Sequence, residues 1–295
     1  MSTTPKLIDS PTAERLPMTL PRLAEKKRLG EPIVMVTAYD YPSAQIAQEA
    51  GVDLILVGDS GAMTVLGYPS TVPVSVDEML VLASAARRGC SLPLLIGDLP
   101  FGSYEASDEQ AIATTTRFVK EAGCDAVKLE GGGPTPVARA RAIVAAGIPV
   151  MGHVGLTPQT ATALGGYRAQ GRTAERARQV ADEALALERA GCFALVFEAI
   201  PAAVAEALMP RLAVPVIGIG AGAATDGQVL VLHDLLGIYD RTPRFVKRYA
   251  NLREQMLDAL RDYTDEVRGR RFPSPEHTYS IDPGELQALR ESLGD

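Results

Sequence analysis

Eight short runs of apolar, mostly β-branched residues recur along the chain, and this repetition constrains the fold more than any other feature of the sequence. Each run is followed by a glycine-rich or polar turn and then by a stretch with helical periodicity. The runs are continuously apolar, as expected of parallel strands buried on both faces, so the helical stretches are predicted to supply the crossover connections. The predicted strands cover residues 33–37, 53–58, 92–97, 126–129, 149–152, 194–197, 214–219 and 229–232.

The number and order of these units predict the fold. Eight strand-helix units favour an α/β protein built as a (βα)8 TIM barrel over an open doubly wound sheet. An extra helix over residues 18–29 is expected to cap the N-terminal side of the barrel. After Pro243 the strand runs stop, and amphipathic helices are predicted over 244–250, 252–268 and 283–293, packed on the barrel or on a neighbouring subunit.

The chain shows no linker that would divide it into several folded domains. We expect a flexible tail over residues 1–17, a single catalytic barrel domain over 18–279 that includes C-terminal helices, and a C-terminal extension over 280–295. The length of 295 residues and the hydrophobic content of 46% are sufficient for one large buried core.

The composition of the chain limits the binding partners and the cellular compartment that we expect. The net charge of -7 argues against binding to nucleic acid or an anionic membrane surface, and acidic residues interrupt the most basic stretch, 241–271. Cys90, Cys124 and Cys192 lack the short spacings of a metal site, which favours reduced core thiols. Residues 1–17 lack an apolar signal core, and no apolar run approaches the roughly 20 residues of a membrane span. We therefore expect a cytoplasmic protein.

Almost every predicted strand delivers an ionisable side chain at its carboxyl end. In a barrel these ends converge on one mouth, where the active sites of this fold lie. The sequence therefore predicts an active site assembled from the segments TAYD (37–40), VGDS (57–60), IGDL (96–99), VKLEGG (127–132), MGHVG (151–155), VFEA (196–199) and LHD (232–234).

Asp59, Asp98 and Glu130 form a candidate metal site. Three carboxylates at one mouth repel one another unless a cation joins them, and hard oxygen ligands suit Mg²⁺. The lack of clustered cysteine and histidine argues against zinc. The alternative is that each acid caps the helix that follows it.

Lys128 stands two residues before Glu130 on one predicted strand, so both side chains share a face. An inward lysine beside a metal site would hold a substrate carboxylate. The alternative is an ion pair with Glu130 or Asp98 that only neutralises the barrel interior.

Glu198 is the candidate general base, because its apolar neighbours in LVFEAI should desolvate it as the deprotonation of a weak carbon acid requires. A cap of the helix that begins near Pro201 is the competing interpretation. His153 could hydrogen-bond substrate or a developing enolate oxygen, or be an ordinary histidine in a loop. His233 and Asp234 are interpreted as structural.

The segment GIGAG (218–222) has the wrong spacing for a dinucleotide-binding fingerprint, so close backbone packing or a small-ligand contact explains its glycines better.

Ten longer motifs, in this order, resemble the ketopantoate hydroxymethyltransferase family. They are VTAYDYPSA, VGDSGAMTVLGY, STVPVSVDEM, GDLPFGSY, VKLEGG, GHVGLTPQ, GGYRAQGR, VPVIGIGAG, DGQVLVLHD and FPSPEHTYS. The resemblance spans about residues 18–279, whereas the first 17 residues and the tail after Tyr279 match nothing in the family pattern.

The resemblance implies a (βα)8 barrel that transfers a hydroxymethyl group from 5,10-methylenetetrahydrofolate to 3-methyl-2-oxobutanoate, giving 2-dehydropantoate. It also implies a homo-oligomer, a decamer as in bacterial members. In the family pattern Asp59, Asp98 and Glu130 match magnesium positions, Glu198 matches the proton acceptor, and the substrate positions are Asp59, Ser60, Asp98 and Lys128. The glycine-rich stretch 165–171 is expected to be a mobile flap.

Two other functions fit parts of the pattern. One is a metal-dependent barrel enzyme resembling the phosphoenolpyruvate mutase and isocitrate lyase group, which would not need folate; the catalytic cysteine loop typical of its lyases is missing from the sequence. The other is a non-catalytic 2-oxo acid binding protein, for which a base at Glu198 would be superfluous.

Overall fold

Eight parallel strands close into a barrel in which each strand pairs with the next in sequence and β8 pairs with β1. The computed structural model describes residues 15–240 and 242–294. The (βα)8 prediction is confirmed. The strands are β1 (Ile33–Thr37), β2 (Leu54–Val57), β3 (Leu94–Asp98), β4 (Ala126–Lys128), β5 (Val150–Gly155), β6 (Ala194–Glu198), β7 (Val216–Ile219) and β8 (Gly227–Leu230).

Eleven α-helices lie in the described residues, most of them between strands. Several begin at a Ser, Thr or Asp whose side chain accepts a hydrogen bond from the first turn, namely Thr19, Asp40, Ser75, Ser107, Thr173 and Asp282. The helices are α1 (Leu20–Leu29), α2 (Tyr41–Ala50), α3 (Gly61–Thr64), α4 (Val76–Gly89), α5 (Asp108–Lys120), α6 (Pro134–Ala145), α7 (Ala174–Arg189), α8 (Ala202–Leu208), α9 (Leu232–Leu235), α10 (Leu252–Arg268) and α11 (Pro283–Leu293).

Side chains alternate along each strand between two apolar layers. On β3, Leu95 belongs to the layer between the barrel and its helices, whereas Leu94 and Ile96 belong to the cluster that fills the barrel. Leu23 of α1 is fully buried in that inner cluster, so the predicted N-terminal capping helix is present. The inner column of each strand is therefore apolar at the capped end.

The connection between β7 and β8 contains no helix, contrary to the prediction that every crossover is helical. Only residues 220–226 separate the two strands, and Gly220 and Gly222 adopt positive φ. A Cβ on Gly218 would lie 2.6 Å from Thr225 Oγ1, and one on Gly222 would lie 2.5 Å from the Cβ of Ala202. The glycines of GIGAG thus serve close packing. As a result β8 begins two residues before the predicted run, and His233 lies in α9 rather than at a strand end.

The helix predicted over 244–250 is absent. Seven residues are too few for a helix to be stable without packing support. Phe245 packs instead against the backbone of Gly220, where an added Cβ would lie 2.8 Å from its ring. The helices predicted over 252–268 and 283–293 are present as α10 and α11.

The described residues divide into two compact units. The first unit contains the barrel and consists of residues 15–235 and 243–247. The second unit consists of residues 236–240, 242 and 248–294. The single catalytic domain over 18–279 stays a prediction, and residues 1–14 of the predicted tail lie outside the described part. Within the described residues no helix combines the length and apolarity that crossing a bilayer requires.

Candidate active site

The polar residues of the mouth continue the inner columns of the barrel. On β3 the inner positions run Leu94, Ile96 and then Asp98, and on β6 they run Ala194, Val196 and then Glu198. Because side chains repeat every two residues along a strand, the last inner position of each strand faces the mouth. On β4 the last inner position is Lys128, and Glu130 is the next position in the same column, so both side chains face the mouth. The apolar barrel interior thus ends in a layer of charged groups.

Asp59, Asp98 and Glu130 converge on one point. Each offers a carboxylate oxygen, and these oxygens all lie within 4.8 Å of one another. All three side chains are buried. Burial raises the pKa of Asp59 well above its ordinary value, and the charges of Asp98 and Glu130 raise it further. The three acids, which lie on three different strand ends, therefore repel one another as predicted.

Lys128 supplies only part of the missing positive charge. Its Nζ donates to both oxygens of Asp98 at 2.7 and 2.8 Å and lies 3.5 Å from Glu130 Oε1. Burial alone would lower the pKa of Lys128, but the three surrounding carboxylates raise it above its ordinary value, so the amine is charged. One ammonium does not compensate three ionised carboxylates, and a divalent cation would supply positive charge to the cluster.

The buried oxygen cluster fits a magnesium ion by its donor set and its charge. The alternative, that the acids cap helices, fails on the geometry. The helices after β2, β3 and β4 have Ser60, Ser107 and Gly133 at their N-caps. Lys128 and Asp98 do form an ion pair, and this contact leaves open whether Lys128 also holds a substrate carboxylate.

His153 lies between the acid cluster and Glu198. Its Nδ1 lies 3.4 Å from Glu130 Oε1, and its Nε2 lies 3.3 Å from Glu198 Oε2. Burial and Lys128 lower the pKa of His153, but the neighbouring Glu130 and Glu198 outweigh them and raise it to about 9. His153 thus lies within β5 between two acids, and it is not an isolated loop histidine.

Glu198 is more accessible than the three acids of the cluster. Its side chain is 17% exposed, against 2% for Glu130 and Asp98. The helix after β6 has Pro201 at its N-cap without a side-chain hydrogen bond, so Glu198 does not cap it. A carboxylate that is open to the mouth and touched by a histidine is placed to exchange a proton with a bound molecule.

Ser60 stands directly after Asp59 at the end of β2. Its Oγ lies 2.8 Å from the hydroxyl of Tyr39, which follows β1 and is buried. Burial raises the pKa of Tyr39 to about 12, although its hydrogen bond with Ser60 opposes this, so the hydroxyl keeps its proton. Ser60 is thus oriented at the mouth beside the acid cluster.

Gln159 and Tyr104 also belong to the site, and the sequence did not single them out. Gln159 lies in a 3₁₀ turn (Pro158–Thr160) after β5, and its side chain contacts Asp59 and Tyr104. Both residues are uncharged and lie in loops. The sequence feature that could have identified them is their position in two family motifs: GHVGLTPQ ends at Gln159, and GDLPFGSY ends at Tyr104.

The glycine-rich stretch 165–171 lies within electrostatic reach of the mouth. Burial raises the pKa of Tyr167, and the charges of Asp59, Glu130 and Glu198 raise it further. The side chain of Tyr167 is nevertheless 58% exposed. Tyr167 is thus an exposed residue whose pKa is raised by the acids of the mouth.

The fold and the mouth define a class: a (βα)8-barrel enzyme with a buried acidic cluster able to hold a divalent cation and an accessible carboxylate beside it. Solved structures show the same fold at low identity. Phosphonopyruvate hydrolase matches with a TM-score of 0.58 and 14% identity, over 94% of this chain and 95% of that one. 2,3-Dimethylmalate lyase, from the phosphoenolpyruvate mutase/isocitrate lyase superfamily, matches with a TM-score of 0.57 and 18% identity, over 94% and 98%.

Sequence comparison narrows the class to one family. The family model described as ketopantoate hydroxymethyltransferase matches residues 17–275. The 3-methyl-2-oxobutanoate hydroxymethyltransferase of Moorella thermoacetica is 55% identical over 90% of this chain and 99% of that protein. The mitochondrial 3-methyl-2-oxobutanoate hydroxymethyltransferase 1 of Arabidopsis thaliana is 51% identical over 94% and 82%. The chain belongs to the ketopantoate hydroxymethyltransferase family and is an enzyme of that family, as the sequence motifs predicted.

Proposed function

We propose that the protein transfers a hydroxymethyl group from 5,10-methylenetetrahydrofolate to 3-methyl-2-oxobutanoate, giving 2-dehydropantoate for pantothenate synthesis. The names of the relatives support the 2-oxo acid as acceptor, and the resemblance of the motifs supports the folate donor. The reaction consumes one water, which supplies the hydroxyl oxygen, and releases tetrahydrofolate. The observation that carries the proposal is the pairing of a buried oxygen cluster with the accessible Glu198 at one mouth.

The residues proposed to hold Mg²⁺ are Asp59, Asp98 and Glu130. Bound there, the ion would act as a Lewis acid that polarises the 2-oxo group and so acidifies C3 of the acceptor. A solved structure of phosphonopyruvate hydrolase in complex with oxalate and Mg²⁺ is among the matches of this fold. It supports the idea that a barrel of this fold can bind a metal together with a small dicarboxylate.

The acceptor is proposed to bind through Asp59, Ser60, Asp98, Lys128 and His153. Lys128 is a buried cation beside the cluster, so it would attract the carboxylate of the acid. His153 and the Ser60 hydroxyl would hydrogen-bond the oxygen atoms of the acceptor. These contacts orient C3 towards Glu198 and hold the reacting carbon in one position.

Glu198 is proposed as the general base. The C3–H bond breaks, the proton passes to the Glu198 carboxylate, and the electron pair left on the acceptor forms the new C–C bond to the one-carbon unit. The two C–N bonds that hold this unit to the folate break, water supplies the hydroxyl oxygen, and the folate nitrogens take up protons. His153 Nε2 lies 3.3 Å from Glu198 Oε2, so the imidazole would orient that carboxylate for the transfer. The stretch 165–171 would cover the mouth and limit the access of bulk water during proton transfer.

Product analysis tests this proposal. Purified protein is given 3-methyl-2-oxobutanoate, 5,10-methylenetetrahydrofolate and Mg²⁺, and the acid products are followed by mass spectrometry and NMR. The expected product is 2-dehydropantoate, formed only when donor and metal are both present. A product that forms equally well without the folate donor would place the enzyme with folate-independent chemistry and refute the proposal.

We also propose that the enzyme is a homo-oligomer, a decamer as the family resemblance implies. The exposed apolar residues of α10, Met256, Leu260, Tyr263 and Val267, support a subunit contact because they recur every three or four residues. The cytoplasm is the proposed compartment, although the relatives include plant proteins named as mitochondrial.

A further inference from the structure

Gln159 is a neutral residue with an unusually complete set of contacts to the acid cluster. Its side chain is buried, and the residue is 5% exposed. The Nε2 group donates to Asp59 Oδ2 at 2.9 Å and to the carbonyl oxygen of Leu99 at 2.9 Å. Its Oε1 accepts from the hydroxyl of Tyr104 at 3.0 Å. Its backbone N–H donates to Glu130 Oε2 at 3.0 Å.

These contacts fix the orientation of the Gln159 amide. Both Nε2 protons are used by acceptors and Oε1 is used by a donor, so the amide groups are satisfied. A flipped amide would turn Oε1 towards the Asp59 carboxylate, where two acceptors would repel. Gln159 therefore presents a fixed donor to one acid of the cluster through its side chain and to a second acid through its backbone.

We propose that Gln159 is a positioning residue that sets the geometry of the proposed magnesium ligands Asp59 and Glu130. A carboxylate has two oxygens, so a hydrogen bond that holds one of them determines where the other points. Gln159 holds Asp59 Oδ2 and Glu130 Oε2, which come from the ends of two different strands. The inference rests on the proposed function, because it assigns a role towards the metal proposed there.

Tyr104 keeps Gln159 in place. It is buried, and its hydroxyl lies 3.0 Å from Gln159 Oε1 but 3.3 Å from the carbonyl oxygen of Glu130. The hydroxyl has one proton, and the shorter contact favours its donation to Gln159. The oxygen of the same hydroxyl then accepts from the Glu130 N–H at 3.3 Å. Tyr104 thus joins the amide of Gln159 to the backbone of a metal ligand.

Titration with Mn²⁺, a paramagnetic probe for magnesium sites, tests the inference. Binding is followed by electron paramagnetic resonance for the wild type, Gln159→Leu and Tyr104→Phe. Thr115→Val is the matched control, because it removes a buried hydroxyl whose hydrogen bonds go to carbonyl groups of its own helix α5. Thermal unfolding and circular dichroism of each variant report the fold. Exchange of the C3 proton of 3-methyl-2-oxobutanoate is measured across a range of Mg²⁺ concentrations.

Loss of a group that orients metal ligands typically weakens metal binding about 10–100-fold. We expect a loss in that range for Gln159→Leu, a smaller loss for Tyr104→Phe and none for Thr115→Val. Saturating Mg²⁺ should restore much of the exchange rate of Gln159→Leu, which a general structural defect would not allow. If Gln159→Leu does not fold, the Mn²⁺ affinity of the near-isosteric Tyr104→Phe tests the inference in its place.

Folded Gln159→Leu that binds Mn²⁺ as tightly as the wild type would overturn the inference and leave the proposed function standing. Equal weakening by Thr115→Val would also overturn it, because the effect would then follow from lost stability. If the wild type itself binds no Mn²⁺, the metal site of the proposed function is wrong and the inference fails with it.

Discussion

Asp59 is the residue at which the charges of the mouth are least balanced. Lys128 is bound to Asp98, whereas the side-chain donor to the Asp59 carboxylate is the neutral amide of Gln159. Burial and two neighbouring carboxylates raise its pKa, so the ionised form destabilises the metal-free protein. The stabilising contribution of a raised carboxyl pKa is complete below the ordinary Asp range and is lost as the pH rises through the raised value.

Asp59→Asn should therefore raise the melting temperature of metal-free protein at neutral pH, by roughly 2–4 °C for each kcal/mol of repulsion removed. The same variant should lose the stabilisation that Mg²⁺ gives the wild type. Calorimetry in EDTA and then in excess Mg²⁺ measures both effects. A higher melting temperature in EDTA combined with a lost stabilisation by Mg²⁺ distinguishes a metal ligand from an acid with a purely structural role. A variant that is less stable in EDTA, or still stabilised by Mg²⁺ like the wild type, contradicts this account of Asp59.

Residues of the site were predictable where a charge interrupts an apolar pattern. Asp98, Lys128, Glu130 and Glu198 each end or follow a strand run, and a charge at such a position is costly unless it has a use. Gln159 carries no charge and follows Pro158 in a turn, where an amide is unremarkable. Its importance depends on contacts with residues 60 and 100 positions away in sequence, which no local pattern contains.

At the scale of elements, the glycine at the end of β5 determines how closely β5 and β6 approach. Gly155 has φ of +100°, and a Cβ there would lie 2.2 Å from the carbonyl oxygen of Glu198. That oxygen also accepts a hydrogen bond from the backbone N–H of Leu156. The end of the strand that carries the proposed base is thus held against the backbone of Gly155.

Gly155→Ala should destabilise the protein by more than the roughly 1–3 kcal/mol of backbone strain that a positive φ costs. The contact should also displace Glu198 and slow the C3 proton exchange. Gly147→Ala is the matched control, because Gly147 has φ of +89° and nothing within 4 Å of an added Cβ. Urea unfolding of both variants measures the difference. Equal losses of stability would show that strain alone matters and that the contact with β6 does not.

The strands were predictable to within about two residues, except that β5 ends three residues after the predicted run. The helix predictions that were wrong share a physical cause. The segment 244–250 and the connection 220–226 are shaped by packing between distant parts of the chain, of Phe245 on Gly220 and of Gly222 on Ala202. Local periodicity does not report such contacts, so it predicted a helix over 244–250 and a helical crossover after β7.

At the scale of the whole molecule, the apolar residues of α10 predict self-association. Leu260→Glu places a charge in the middle of that apolar face and should reduce the mass measured by light scattering, with circular dichroism unchanged. Asp258→Asn, which changes the charge by one unit of opposite sign on the opposite face of the helix, should leave the mass as in the wild type. A wild type that is monomeric at working concentration, or a Leu260→Glu protein of unchanged mass, contradicts the proposed subunit contact.

The central claim is that this mouth removes the C3 proton of a 2-oxo acid with Glu198 as base, and proton exchange without the folate donor tests it most directly. Protein, 3-methyl-2-oxobutanoate and Mg²⁺ are mixed in deuterated water, and loss of the C3 proton signal is followed by NMR. Wild-type exchange should depend on Mg²⁺. Glu198→Gln keeps the size of the side chain, so it should still bind the acid but exchange its proton about 10²–10⁴-fold more slowly. Exchange by Glu198→Gln at the wild-type rate would contradict the account and leave His153 as the next candidate for the base.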